Sequence, residues 1–216
     1  MYRLYYFPGN ANLVPHILLE EIGAAYELVL VDRANNAQKS PEYLRLNPTG
    51  RIPVLIDGDL VLFETAAICL HLVDSHPDAG LAPELGTRER AEFYKWLVYL
   101  TNTVQSELIT YFYPHRMTDD EAAAAQVKRH AEAHLSGEGG MLDILEAQLE
   151  KSGGPWLLGG RYTAVDPYLM VMARWTRGMA NPARNRKYLG RFLETMAARP
   201  AVQRAFEQEG LKPPLY

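Results

Sequence analysis

Glu64 and Thr65 are the residues of this chain best suited to gripping a small charged group. Thr65 opens a stretch in which Ala66, Ile68, Cys69, Leu72 and Val73 recur at helical spacing. A threonine at a helix start offers a hydroxyl and N–H groups at the positive end of the helix dipole, a seat for a carboxylate. Glu64, just before it, supplies the opposite charge for an ammonium. The pair suits both ends of a free α-amino acid head group, although taken alone it also reads as an ordinary helix N-cap. A second feature lies upstream, where Pro53 stands at the head of the β-branched run Ile52–Ile56. The first residue of a strand is one of the few places where a sheet tolerates proline. A cis Ile52–Pro53 bond, a minority form, would turn the chain sharply there. The N–H and C=O of Ile52 would then face an incoming extended peptide rather than a neighbouring strand.

The elements that must position these residues are legible on either side. Asn47-Pro48-Thr49-Gly50 is a turn, Asp57-Gly58 signals a tight hairpin, and Leu60-Val61-Leu62 reads as the returning strand. Upstream, Tyr2–Phe7 is an aromatic strand closed by Pro8-Gly9, and a helical pattern over Leu13–Ile22 stops at Gly23. Tyr26–Val31 is a second strand, and Ser40-Pro41 gives the N-cap and first residue of a short helix. The order β-α-β-α-β-β-α implies a parallel βαβ unit, a hairpin and a covering helix, ending near Ser75. Residues 76–86 form a turn-rich linker, and from Thr87 strand signals give way to helices through to residue 216. Thr87 to about Tyr111 reads as one long helix. Capping boxes at Thr118–Glu121 and Thr163–Asp166 open two more, and Gly137–Gly140 interrupts the helix between them.

Composition narrows the function classes. With 48% hydrophobic residues over 216 positions, the chain can bury one large core or two small ones. A net charge of −4 with no basic patch argues against nucleic acid as a partner. No apolar run approaches the length of a membrane span, and the N-terminus has no signal-type apolar region. A lone cysteine, Cys69, forms no internal disulfide and sits on an apolar pattern, which fits a cytoplasmic protein with a core cysteine.

The sequence Asn-Pro-x-Gly-x-Ile-Pro-x-Leu over residues 47–55, followed by a hairpin and Glu-Thr-x-Ala-Ile over 64–68, resembles the glutathione-binding half of the cytosolic glutathione transferases. The resemblance covers essentially the whole chain. It implies a thioredoxin-like α/β domain at 1–75 and an all-helical domain at 87–216. It also implies a homodimer, glutathione as co-substrate, a small apolar electrophile as second substrate, and no metal. By this resemblance Pro53 is the cis-proline and Ile52 pairs with the cysteinyl backbone of glutathione. Glu64 and Thr65 hold the γ-glutamyl head group, with threonine where most members carry serine, and Lys39 reaches the glycine carboxylate or is simply a solvated loop lysine.

Such an enzyme must lower the thiol pKa of glutathione from about 8.5 with a hydrogen-bond donor and a helix N-terminus. The pattern Tyr-Tyr-Phe-Pro-Gly-x-x-x-Leu-x-Pro-His over residues 5–16 is similar to the bacterial beta-type transferases, which carry cysteine where Ala11 stands here. Three donors remain: Asn12 at the helix start, ranked first, then Tyr6 and Asn10, each of which has a purely structural alternative. Asn102 matches a beta-type asparagine that approaches glutathione, whereas the histidine of that site is replaced by Ile109. Tyr99 lies on the same helix side as Asn102, and Tyr111, Tyr113, His115 and Arg116 form an aromatic and basic cluster. These five are the expected electrophile pocket. The expected activity is glutathione transfer. The alternatives are another glutathione-dependent reaction (isomerisation, peroxide reduction or dehalogenation) or a binding module without turnover.

Overall fold

The computed structural model describes residues 1–216. In chain order the strands are β1 (Tyr2–Tyr6), β2 (Tyr26–Leu30), β3 (Val54–Asp57) and β4 (Leu60–Phe63). The helices are α1 (Leu13–Ile22), α2 (Pro41–Leu46), α3 (Thr65–Ser75), α4 (Arg88–Val98), α5 (Gln105–Phe112), α6 (Glu121–Ser136), α7 (Met141–Ser152), α8 (Val165–Trp175), α9 (Lys187–Ala197) and α10 (Pro200–Gln208). Contacts divide the chain into two units, Met1–Ala82 with Ala198–Leu215, and Pro83–Ala197 with Tyr216. The sequence placed the helical run from 87 to 216 in one piece. By contact α10 goes with the sheet unit, because Ala201, Val202, Ala205 and Phe206 are buried on a face that packs on α1. Arg199 adds a bidentate pair to Glu21 at 2.6 and 2.8 Å.

The first unit is a thioredoxin-like four-stranded sheet in the order β2-β1-β3-β4, with β1 parallel to β2 and β3 antiparallel to both neighbours. A parallel pair needs a crossover, and α1 supplies it. The apolar face of α1 buries Leu13, Val14, Ile17 and Leu18 completely, each contributing about 1.5–3 kcal/mol. It ends where Gly23 takes a left-handed conformation, φ 71°. Ser40 caps α2 by accepting from the Tyr43 N–H, and Pro41 is its first residue. Two local readings shift slightly. Asp57 pairs with Leu60, so the hairpin loop is Gly58-Asp59, with Gly58 at φ 60° in the first loop position where only glycine is unstrained. The strand begins at Val54 rather than Ile52, since Pro53 has no N–H for the ladder.

The second unit is helical. The long helix expected over 87–111 runs from Arg88 to Phe112 but contains a π-helical segment at Tyr99–Val104. Thr87 caps it by accepting from the Arg90 N–H. The first expected capping box is offset: Asp120, not Thr118, accepts from the Ala123 N–H at the start of α6, while Thr118 Oγ1 accepts from the Asp120 N–H one turn earlier. Gly137–Gly140 separates α6 from α7 as expected. Helix α8 is buried on all sides from Val165 to Arg174 and forms the centre of this unit. No helix is long and apolar enough to cross a membrane.

Candidate functional site

The turn ahead of Ile52 is held by side chains. Asn47 donates to the Arg51 carbonyl at 2.8 Å and accepts from both the N–H and the hydroxyl of Thr49, while Tyr43 Oη also donates to the Arg51 carbonyl. Gly50 closes the turn at φ 61°, where a Cβ would lie 2.6 Å from Lys39 Nζ and 2.9 Å from the Gln38 carbonyl. Lys39 therefore folds over this turn, its ammonium 3.4 Å from the Thr49 carbonyl. The Ile52–Pro53 bond is cis. The N–H and C=O of Ile52 enter neither the sheet ladder nor any other backbone hydrogen bond. They are main-chain groups of the kind that an extended peptide adds to.

Glu64 follows β4 and precedes α3, with φ 72° and ψ 112°. Non-glycine residues rarely enter this region, and holding one there costs about 1–3 kcal/mol. Its side chain makes no capping hydrogen bond and is exposed, so the ordinary N-cap reading does not describe it. Thr65 is the first residue of α3 and is buried. The structure thus brings together an exposed carboxylate, a hydroxyl and a helix N-terminus in adjacent positions.

The loop between β1 and α1 holds the three residues expected to act on the thiol. The Asn12 side chain is fully buried. Its Oδ1 accepts from the Phe7 N–H at 3.1 Å, and its Nδ2 donates to Glu209 Oε1 at 2.8 Å. Its amide is therefore turned inward and already occupied, contrary to the expectation that it donates to an external anion. Asn10 is half-buried, donates to the Phe7 carbonyl at 3.3 Å, and accepts from Arg33 Nη1 at 3.0 Å. The Arg33 guanidinium also lies 5.4 Å from the Phe7 ring centroid, which fixes a cation against this loop. Tyr6 is half-buried at the end of β1. The N–H groups of Ala11 and Asn12, just before the first turn of α1, make no backbone hydrogen bond. Unpaired donors at a helix N-terminus are an anion seat.

The remaining expected residues lie in the helical unit. Asn102 is exposed and Tyr99 half-buried, both in the π-helical segment. Burial raises the Tyr99 pKa, and its ring meets Trp96 edge-on at 5.6 Å. Tyr111 is buried beneath Lys128 Nζ, 4.9 Å from the ring centroid, and its pKa is raised by that burial and by Glu132. Arg116 stacks over Tyr113 at 4.0 Å, and His115 meets the same ring at 6.0 Å. Tyr113, His115 and Arg116 thus form one stacked group, with Tyr111 packed separately. No group of three or more His, Cys, Asp or Glu side chains is arranged to hold a metal ion.

Cys69 is fully buried in α3, and burial pushes its thiol pKa far up. It should react with a thiol-specific disulfide reagent only after unfolding. Rapid stoichiometric labelling of the native protein, followed by absorbance, would contradict that placement.

Sequence reading missed three residues: Arg33, His16 and Glu209. Arg33 sits in a loop where no periodicity marks it. His16 lies within the quoted motif near the N-terminus, and Glu209 is distant from it in sequence, so only the fold reveals that their side chains meet at 2.9 Å.

Comparison with known proteins agrees with this fold. Residues 1–74 match the glutathione S-transferase N-terminal domain family, and residues 102–209 match a glutathione S-transferase C-terminal domain family. A glutathione S-transferase of Xanthomonas campestris pv. campestris is 31% identical over 209 residues, covering 97% of this chain and 99% of the relative. A solved glutathione S-transferase from Xylella fastidiosa superposes with a TM-score of 0.87 at 30% identity, covering 98% of this chain and 100% of that one. A glutathione transferase homologue from Sulfitobacter, solved with bound glutathione, gives a TM-score of 0.87 at 28% identity, covering 98% and 99%. With both domain families matched in order along the chain, the chain belongs to the glutathione S-transferase family and is an enzyme of the glutathione transferase type.

Proposed function

We propose that this enzyme binds glutathione along the edge formed by Ile52, Pro53, Glu64 and Thr65, and activates its thiol at the β1–α1 loop. The observation that carries this reading is the unpaired main chain of Ile52 next to a strained, exposed Glu64 at a helix N-terminus. The cysteinyl backbone adds to Ile52, as a strand adds to a sheet edge. Glu64 takes the γ-glutamyl ammonium, and the Thr65 hydroxyl with the first N–H groups of α3 takes the α-carboxylate. Lys39, folded over the Gly50 turn, is the candidate for the glycine carboxylate.

The inward placement of the Asn12 side chain moves the donor role to its neighbours. The N–H of Ala11 and the second amide hydrogen of Asn10, whose oxygen Arg33 holds, supply the donors that favour a thiolate, with Tyr6 as the competing phenol. The thiolate sulfur then forms a bond to an electrophilic carbon of a small apolar compound. The bonding pair leaves with the departing group, or is protonated when the electrophile is an activated alkene. On the helical unit the stacked group of Tyr113, His115 and Arg116 is the candidate surface for such a compound. The working form is a cytoplasmic homodimer.

The test is an ultraviolet titration of enzyme-bound glutathione in Asn10→Ala and Tyr6→Phe. Asn10→Ala should raise the bound-thiol pKa by about one unit, while Tyr6→Phe should leave it in place. The reverse pattern would transfer the role to Tyr6.

A further inference from the structure

We propose that Glu209, contributed from beyond the end of α10, is a positioning residue for thiol activation, holding both ends of the Gly9–Asn12 loop. This rests on the reading that the loop faces the glutathione thiol. The Glu209 side chain is 0% exposed. Oε2 accepts from the Gly9 N–H at 2.7 Å, and Oε1 accepts from Asn12 Nδ2 at 2.8 Å and meets His16 Nδ1 at 2.9 Å. A buried carboxylate persists only when its charge and lone pairs are satisfied, and these contacts satisfy it. Gly9 and Asn12 bracket the loop on its two sides. The carboxylate thus fixes the span that carries the unpaired Ala11 N–H and the Asn10 amide.

His16 completes the clamp from α1, with Nε2 facing Gln208 Oε1 at 2.8 Å and Tyr26 Oη at 3.1 Å. Tyr26 in turn donates to Glu20, which also accepts from Gln208 Nε2 at 3.0 Å and from Arg204. Helix α10 is seated independently by the Arg199–Glu21 pair and its buried apolar face. The carboxylate therefore has a role beyond docking the helix: it sets where the loop donors sit. Misplacing catalytic donors by about 1 Å costs on the order of a hundredfold in rate.

Glu209→Gln preserves shape but turns an amide NH₂ toward either the Gly9 N–H or the Asn12 and His16 donors. The expected result is a fall in kcat of about tenfold or more, with the KM for glutathione within about twofold, because the head-group contacts are elsewhere. The bound-thiol titration should move up by about one pH unit. Arg199→Ala, which removes the pair that seats α10 apart from Glu209, should leave kcat and the titration unchanged. Should Glu209→Gln not fold, Glu209→Asp, which keeps the charge but shortens the reach, should shift the titration in the same direction. A Glu209 variant that melts lower yet titrates and turns over like the wild type would overturn the proposal. A wild-type bound thiol that titrates near its free value would overturn both this proposal and the loop reading beneath it.

Discussion

Asp166→Ala should lower the melting temperature by roughly 6–16 °C. Asp166 is fully buried at the start of α8. Its Oδ2 accepts from the Thr163 N–H at 2.7 Å and lies 3.4 Å from the Thr163 hydroxyl, while Oδ1 accepts from the Leu157 N–H at 2.9 Å. This is the reciprocal half of a capping box, extended to a second loop strand: the acid reaches back to the chain before the helix. Two charge-assisted bonds to buried N–H groups contribute about 1.5–3 kcal/mol each, and removing the carboxylate leaves both donors without partners. A loss of about 3–4 kcal/mol in a chain of this length corresponds to that drop, at about 2–4 °C per kcal/mol. Asp166→Asn, which keeps one acceptor, should lose less. Scanning calorimetry decides it, and an unchanged melting temperature in Asp166→Ala would remove Asp166 from the folding account.

At Glu64, stability and binding should move in opposite directions. Its φ of 72° and ψ of 112° cost about 1–3 kcal/mol for any residue with a Cβ. Glycine relieves that strain and gives back about 0.5–1 kcal/mol in unfolded-chain entropy. Glu64→Gly should therefore melt a few degrees higher, about 2–4 °C for a net gain near 1 kcal/mol. Glu64→Ala keeps the strain and should melt near the wild type. In the proposed binding mode both variants lose a charged hydrogen bond to the γ-glutamyl ammonium, about 1.5–3 kcal/mol, or roughly 10–100-fold in glutathione affinity. Calorimetric titration with glutathione measures the second effect. Wild-type affinity in both variants would mean that the strain serves something other than this ligand.

Much of the fold could be read from local chemistry. Gly23 stops α1, Ser40 and Pro41 open α2, and the apolar spacing after Thr65 defines α3. Each depends on neighbours a few residues away. Where the reading slipped, the deciding interaction was less local. The π segment at Tyr99–Val104 leaves the apolar period of the long helix nearly intact, so no sequence signal marks it. The apolar face of α10 is as amphipathic as that of any bundle helix, and nothing in its composition says that it packs on α1. The same limit governs the site. Glu64 and Ile52 stand out in the sequence because one contiguous motif contains them, and the structure sets them at a helix N-terminus and at the cis Pro53. Asn12 looked like a free donor because its partner, Glu209, lies at the other end of the chain. Arg33 was invisible because a loop cation has no pattern until the fold sets it against Asn10 and Phe7.

In the proposed mode the Gly9–Asn12 loop and the N-terminus of α1 turn bound glutathione into a thiolate without a cysteine or serine side chain at the loop. The most direct measurement is the ultraviolet titration of glutathione bound to the unaltered enzyme. A bound-thiol pKa well below the free value of about 8.5 is expected, so that thiolate predominates at neutral pH. Tight binding with a thiol that still titrates near its free value would contradict it.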